Sequence, residues 1–476
     1  MQDGWGFYME ILISNILIIR NPTKEITEYI KKTYTYSNPS YIKKQRMGFS
    51  TYKTARYIRL YDLDDTDIYL PIGCFYDIFK IHPIIEDYRD LTVRSEINVD
   101  SRMKLRDYQK YVITACRKYQ NGLIVMPCGT GKSISMLQTA CELRQKTLWL
   151  CTTRELLIQA ESYIKDYTNA TTSRITEGKC DYSGDFVFAT IQTLCKVIDK
   201  LEIPQDTFGC IIGDEIQHCM VSDESVMMFK TCFEYFSAKY KFGCTATLKT
   251  ANDLWKCIPK IVGKVIYELR KEKNELVGYY EGNDVIRVPL ELFQTPARVF
   301  MVNTNYKPGD DCYDSSNRII YSKLISDIVM DKKRNDMILD ICNRIDGYTI
   351  IVSERTNQLE YLESKLNYAI RIDSKMKKSV REEVVNDFRK GKYKYLLATY
   401  SLIAEGFDVP MLENLIMASP IKDERLVIQS VGRCQRPYNG KKIANVYDFY
   451  DDVGILYNKY RNRMKVYKKE NWEVIK

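Results

Sequence analysis

Residues 126–133 read Met-Pro-Cys-Gly-Thr-Gly-Lys-Ser, and their types and spacing suit one task, the holding of a phosphate chain. Gly129 and Gly131 let backbone N–H groups curl toward an anion with no Cβ in the way, and Pro127, Cys128 and Thr130 complete the cradle. Lys132 offers a cation to the terminal phosphates, and Ser133 a hydroxyl to Mg²⁺. Further along, Asp214 and Glu215 open the run Asp-Glu-Ile-Gln-His. Adjacent carboxylates let one side chain hold a metal ion while the other polarises a water. Asp214 is the candidate metal-side ligand, Glu215 the candidate base, and His218 the third candidate catalytic group. Much later, Arg433 and Arg436 lie three apart, a spacing that would put both on one helical face. Guanidinium groups aimed at a nucleotide stabilise charge on the transferring phosphoryl group.

These groups need a scaffold. A phosphate loop sits between a strand and a helix, and the apolar run 123–126 and the helical pattern 133–144 flank it. Similar runs recur at 122–126, 147–151, 186–190, 210–213 and 242–245, with helical patterns at 133–144 and 155–167. Such alternation predicts a parallel sheet covered by helices. A second alternating block has runs at 348–352, 395–399, 415–418 and 444–449. Between the blocks lies a polar stretch with Gly278, Gly282, Pro289, Pro296, Pro308 and Gly309, where a connector is expected. The expected division is therefore an accessory domain over 1–98, a first α/β lobe over 99–269, a connector over 270–315 and a second lobe over 316–476.

Gln109, in Leu-Arg-Asp-Tyr-Gln after Arg106, carries an amide whose donor and acceptor match adenine N6 and N7. Hydroxyls and cations at the ends of apolar runs suit contacts to a nucleic-acid backbone. They are Thr153, Arg154, Thr190, Gln192, Thr193, Ser353, Arg355 and Thr399. Each also fits the plainer role of a helix cap.

Composition bounds the rest. The chain of 476 residues is 45% hydrophobic and 28% charged, with a net charge of +9 that fits a nucleic-acid partner without requiring one. Fifteen scattered cysteines and two histidines form no zinc-ligand spacing, and unpaired thiols suit a reducing cytoplasm. The apolar run 11–19 is broken by Ser14 and Asn15 and is too short to span a bilayer, so a strand is expected and no membrane. Over 24–59, nine basic residues face only Glu25 and Glu28, interleaved with Tyr29, Tyr34, Tyr36, Tyr41, Tyr52 and Tyr57. Cations with aromatic rings suit a DNA-binding accessory domain, α+β or β-rich. For the basic tail 457–476, a helix packed on the second lobe is expected.

The ordered series LRDYQ, MPCGTGKS, CTTRELLIQ, ATIQTL, DEIQH, CTATL, TIIVSERT, LLATYSLIAEGFDVP and QSVGRCQRP resembles the successive motifs of superfamily 2 helicases of DExH type. The PCGTGKS loop and the IVGKVIYEL segment are similar to the branch holding XPB-type and phage branch-migration helicases. GFSTYKTARYIRLY with LPIG is similar to the accessory domain of the phage group. The resemblance implies two tandem RecA-like lobes with ATP bound between them and Mg²⁺ as cofactor. It implies that Thr245 and Thr247, with Gln429, couple hydrolysis to nucleic-acid movement. Gly406 and Asp408 would sit near the nucleotide, and Arg433 and Arg436 would act on it. Met126 in the loop and Gln217, where Ala or Val is more usual, depart from the pattern. The expected activity is ATP-driven remodelling of branched or forked DNA, 3′ to 5′, by a monomer in the cytoplasm, that of a bacterial host if the source is viral. An RNA helicase, a restriction-type translocase subunit and a nucleotide-switched binding module are the alternatives.

Overall fold

Strands buried on both faces are mostly apolar, and the four strands that frame the phosphate loop follow that rule, with Lys241 and Asn121 among the buried polar exceptions. The computed structural model describes residues 9–475 except 81–85, 93–96, 101, 128, 177, 201–202, 250–252, 374 and 406–408. The chain divides into two units, Met1–Glu272 with Leu276–Arg287 and Lys273–Glu275 with Val288–Lys476.

The first unit is built on a ten-stranded sheet. At its centre Thr147–Cys151, Cys210–Gly213, Tyr240–Thr245 and Asn121–Val125 lie side by side and parallel. Their register pairs Thr245 with Val125 and Gly213 with Gly243. Three strands therefore end at one edge of the sheet, the place where doubly wound sheets bind ligands. Asp214, donating its backbone N–H to the Leu150 carbonyl at 2.8 Å, and Met126, donating to the Thr245 carbonyl at 3.0 Å, extend that edge. Met126 is fully buried there, which accounts for an apolar residue at the head of the loop.

The described residues among the first hundred form a small α+β layer. Asp62–Leu63, Asp67–Leu70, Leu17–Arg20, Glu10–Ile13 and Glu86–Asp87 make a five-stranded sheet in that order. The run 11–19, expected as one strand, is an antiparallel hairpin, because Ser14 and Asn15 turn the chain. This layer packs on the first lobe. Asn15 donates to the Glu234 carbonyl at 2.7 Å and receives Lys241 Nζ at 2.9 Å. Gly73 lies so close to the backbone of Lys260 that a Cβ would meet the carbonyl oxygen at 2.5 Å. Burial pushes the Lys241 ammonium down to about 7, against the opposing pull of Glu234.

The expected connector, 270–315, is largely strand. Val265–Glu272, Glu275–Tyr280 and Asn283–Pro289 complete one edge of the ten-stranded sheet, and Ala297–Asn303 enters the sheet of the second unit. Gly282, at φ +80°, makes the turn that its composition suggested was a linker.

The second unit has a seven-stranded sheet in the order Ala369–Ile372, Tyr395–Thr399, Tyr348–Ser353, Leu412–Met417, Ala444–Tyr450, Ala297–Asn303, Glu473–Ile475, parallel throughout. The basic tail contributes the helix Gly454–Lys469, and two of its cations, Lys459 and Arg463, turn inward. Arg463, 2% exposed, holds Asp448 with two bonds of 2.8 Å, and Tyr467 donates to the same carboxylate at 2.6 Å. Arg334 pairs with Asp451 and donates to the Ala418 carbonyl at 3.1 and 3.0 Å. Among the described residues no helix is long and apolar enough to cross a membrane.

Removing one member of a buried ion pair strands the other, at a cost of about 3–5 kcal/mol. Arg463→Met is expected to lower the stability of the second unit by about that amount, measured by urea denaturation followed at Trp472, which packs against Tyr467. Adding Asp448→Leu should recover part of the loss.

Candidate active site

The helix Lys132–Leu143 starts at Gly131, whose φ of +77° only glycine adopts at ease. A Cβ at Gly131 would also meet Gln109 Nε2 at 2.4 Å. Gln109 was expected to read adenine, but its amide is engaged elsewhere. It is 4% exposed, donates to the carbonyls of Thr130 at 3.2 Å and Gly131 at 3.3 Å, and accepts from the Arg106 N–H at 2.8 Å. Tyr108, which sequence reasoning passed over, donates to the same Thr130 carbonyl at 2.6 Å. Thr130 folds back through its hydroxyl to the Pro127 carbonyl at 2.7 Å. The helix Asp107–Tyr119 thus clamps the loop from behind, and Arg106 reaches the Tyr108 hydroxyl at 3.5 Å. Cys128 lies outside the described residues.

Lys132 and Ser133 point at the two carboxylates. Lys132 Nζ lies 2.6 Å from Glu215 Oε1, with only 6% of the lysine side chain exposed. Ser133 Oγ donates to Asp214 Oδ2 at 2.9 Å, and Asp214 Oδ1 accepts the Glu215 N–H at 3.0 Å. Glu215 takes φ +50°, ψ +45°, a left-handed conformation that costs a side-chain-bearing residue energy and is kept where a side chain must be aimed. Burial and the neighbouring Glu215 charge push the Asp214 carboxyl up, with Lys132 opposing. Burial also works against the charge on Glu215, yet Lys132, Gln217 and His218 outweigh it and hold that carboxyl below its ordinary range. Two adjacent carboxylates thus differ in their readiness to accept a proton. A hydroxyl and a carboxylate also make a hard oxygen pair of the kind Mg²⁺ takes alongside phosphate oxygens and water.

Gln217 bridges two of the expected site residues, a position the sequence reading did not assign to it. Its amide N–H donates to Glu215, and its carbonyl accepts the Thr245 hydroxyl at 2.5 Å. Thr245 Oγ1 in turn lies 2.7 Å from the Thr247 carbonyl and accepts the Thr247 N–H at 3.2 Å. One polar path therefore runs from Lys132 through Glu215, Gln217 and Thr245 to Thr247. His218, expected in the catalytic cluster, is half-buried in the turn Ile216–Cys219 and acts on Glu215 through its charge. The bridging position belongs to Gln217. The signal was present as the one departure in that motif, an amide set between a carboxylate and a threonine turn.

The expected backbone contacts divide into two groups. Thr153 caps Arg154–Tyr167, and Thr190 caps Ile191–Ile198 while sharing a 2.9 Å bond with Thr193 Oγ1. Ser353 is fully buried; it donates to Gln358 at 2.7 Å and accepts the Arg355 N–H at 3.1 Å, so its hydroxyl organises its own loop and is turned away from any polymer. Thr399 is bonded to Ser401 at 3.2 Å. Arg154, Gln192 and Arg355 are exposed. Arg433 and Arg436 do not share a helical face, because the helix Glu424–Cys434 ends between them; both are half-buried, as is Gln429. Gly406 and Asp408 lie outside the described residues.

Comparison with known proteins decides the family. Residues 102–250 match the model for the type III restriction enzyme res subunit, and residues 332–438 the helicase conserved C-terminal domain. The chain belongs to the superfamily 2 helicases. The helicase is 25% identical over 71% of its length, and 80% of the other chain, to the DNA 3′-5′ translocase XPB2 of Sulfurisphaera tokodaii. It is also 25% identical to the probable helicase D10 of Escherichia phage T5, over 73% of this chain and 71% of that one. A third similar protein, from Acanthamoeba polyphaga mimivirus, carries the provisional name ATP-dependent RNA helicase L396, at 25% identity over 84% and 73%. The fold of this chain is similar to that of the Pyrococcus furiosus Hef helicase domain, at a TM-score of 0.53 and 15% identity, over 77% of this chain and all of that one. The helicase therefore sits in the XPB-like and phage branch, has parallel-sheet RecA-like lobes, hydrolyses ATP and acts on nucleic acid.

If Gln217 aligns Glu215, Gln217→Ala should lower kcat for ATP by roughly 10–100-fold, the range seen when an outer hydrogen-bond partner of a catalytic group is lost. Steady-state kinetics should show KM for ATP within about twofold of wild type, since the loop itself is untouched.

Proposed function

We propose that this helicase is an ATP-driven translocase on DNA that moves 3′ to 5′ and remodels branched or forked duplexes. The observation that carries the reading is the unbroken polar path from Lys132 to Thr247. It joins the residue that meets the terminal phosphate to a loop at the same sheet edge. A change at Glu215 on hydrolysis therefore has a direct route to that loop. The name of the Sulfurisphaera relative favours DNA and the 3′-5′ direction, and the basic, aromatic first block favours a nucleic-acid partner. The mimivirus relative's name favours RNA and supplies the second reading.

In this account Lys132 leaves Glu215 to neutralise the β- and γ-phosphates as ATP enters. Glu215, freed on that side and still held by Gln217, accepts a proton from the attacking water. Before ATP enters, Lys132, Gln217 and His218 hold Glu215 in the anionic form that a base needs. Ser133 and Asp214 would hold Mg²⁺, which screens phosphate charge when bound. Arg433 and Arg436 are proposed to act on the nucleotide, and Arg154, Gln192 and Arg355 to contact the polymer backbone.

ATPase rates with forked DNA, single-stranded DNA and RNA test this reading. Forked DNA should stimulate most; stimulation by RNA alone would overturn the DNA assignment, and none by any polymer would leave a nucleotide-switched binding module. Glu215→Gln should cut turnover by roughly 10²–10⁴-fold, as loss of a general base does, while gel shifts show nearly unchanged DNA affinity.

A further inference from the structure

Residues 39–56 form an arm that contributes almost nothing to the core. The helix Pro39–Arg46 has no buried residue, and every residue from Ile42 to Ser50 is exposed. A helix with no buried residue is not held by packing, so another use must account for it. Between Tyr29 and Tyr61 the chain carries eight lysines and arginines and no carboxylate, and five of the cations, Lys43, Lys44, Arg46, Lys53 and Arg56, lie on the arm. Beyond the helix, Met47 is 55% exposed, Phe49 61% and Tyr52 92%. Large apolar side chains at such exposure, gathered in a few residues, mark a contact surface. By contrast Tyr34, counted among the interleaved aromatics, is fully buried beside Lys260, and Tyr36 is half-buried.

The arm is nevertheless built and mounted. Gly48, at φ +71°, turns the chain after the helix, and Phe49 donates its N–H to the Lys44 carbonyl at 2.9 Å. Lys44 Nζ donates to Thr54 Oγ1 at 2.7 Å. At the base, buried Asn38 closes the arm. Its N–H donates to the Arg56 carbonyl at 3.1 Å and its side-chain amide to the Ala55 carbonyl at 2.8 Å, while its Oδ1 accepts the Ser40 N–H at 2.9 Å. The same amide reaches Asp223 Oδ2 at 3.0 Å, at the start of the helix Asp223–Tyr235 in the first lobe. The arm is thus tied to the lobe that carries the phosphate loop.

We infer that residues 39–56 form a single-strand binding arm, with Phe49 and Tyr52 stacking on unpaired bases and Lys43, Lys44, Arg46, Lys53 and Arg56 meeting phosphates. The inference rests on the helicase acting on nucleic acid and names where one strand is held. Charge complementarity selects a polyanion. The two exposed rings select unpaired bases, because stacking needs an accessible base face and a duplex hides it. A mount on the first lobe would carry the arm with that lobe through each ATP cycle.

Fluorescence anisotropy of a labelled oligothymidylate, at several salt concentrations, tests the arm. Phe49→Ala with Tyr52→Ala should weaken binding by roughly 10–100-fold and leave the salt slope unchanged. Lys43, Lys44, Arg46 and Lys53 all changed to Gln should reduce the slope of log K against log salt by roughly 2–3, at about 0.7 per single-strand phosphate contact. ATPase without nucleic acid and the thermal melt should match wild type in both, which guards against misfolding. Wild-type affinity and slope in both variants, with wild-type protein binding well, would overturn the arm alone. Failure of wild-type protein to bind any polymer would overturn the function proposed above as well. Retained oligothymidylate binding with lost binding to anionic vesicles would reassign the arm to a lipid surface and overturn the inference.

Discussion

Everything in the candidate site depends on the contact between Lys132 and Glu215. A lysine that is 6% exposed pays a large desolvation penalty unless a carboxylate meets it, and Glu215 does so at 2.6 Å. The same pairing holds Glu215 in its anionic form, the form a base needs. In the proposed mechanism ATP phosphates compete for Lys132, so substrate entry would release Glu215. The left-handed backbone of Glu215 is consistent with a residue fixed by these partners rather than by local preference.

The sheet makes that contact possible. Asn121–Val125, Cys210–Gly213 and Tyr240–Thr245 are parallel and in register, so three loops distant in sequence leave one edge together. Side chains from 132, 215, 217 and 245 then meet through hydrogen bonds that no single segment could form alone. From the opposite side Tyr108 and Gln109 hold the Thr130 carbonyl and fix the loop in a shape that glycine at 131 permits. In the second unit, buried Arg334 and Arg463 anchor the strand ends Ala418, Phe449 and Asp448 in a comparable way, with charge replacing apolar contact inside the fold.

The parallel strands were legible because burial on both faces requires unbroken apolar runs, and 147–151, 186–190, 210–213 and 395–399 coincide with observed strands. Strands buried on one face only, such as Thr172–Thr176, escaped notice because alternate residues are polar. Ala297–Asn303 was hidden inside a stretch bracketed by prolines that mark strand ends. In the site, Lys132, Ser133, Asp214 and Glu215 were found from type and spacing and Thr245 and Thr247 through the family resemblance, and these residues do converge. Amides were not. The side chains of Gln109 and Gln217 each have two polar ends, and only the fold decides what those ends touch: the loop carbonyls for one, Glu215 and Thr245 for the other. Arg436 was misplaced because helical spacing extends past a helix end that lies at Cys434.

The central claim is that Glu215, Gln217 and Thr245 act as one unit. A double-mutant cycle between Gln217→Ala and Thr245→Val, read as nucleic-acid-stimulated ATPase, measures it directly. Residues joined in one hydrogen-bond network couple by about 0.5–3 kcal/mol, so the second substitution should cost little once the first is made. Effects that add within about 0.5 kcal/mol would contradict the account.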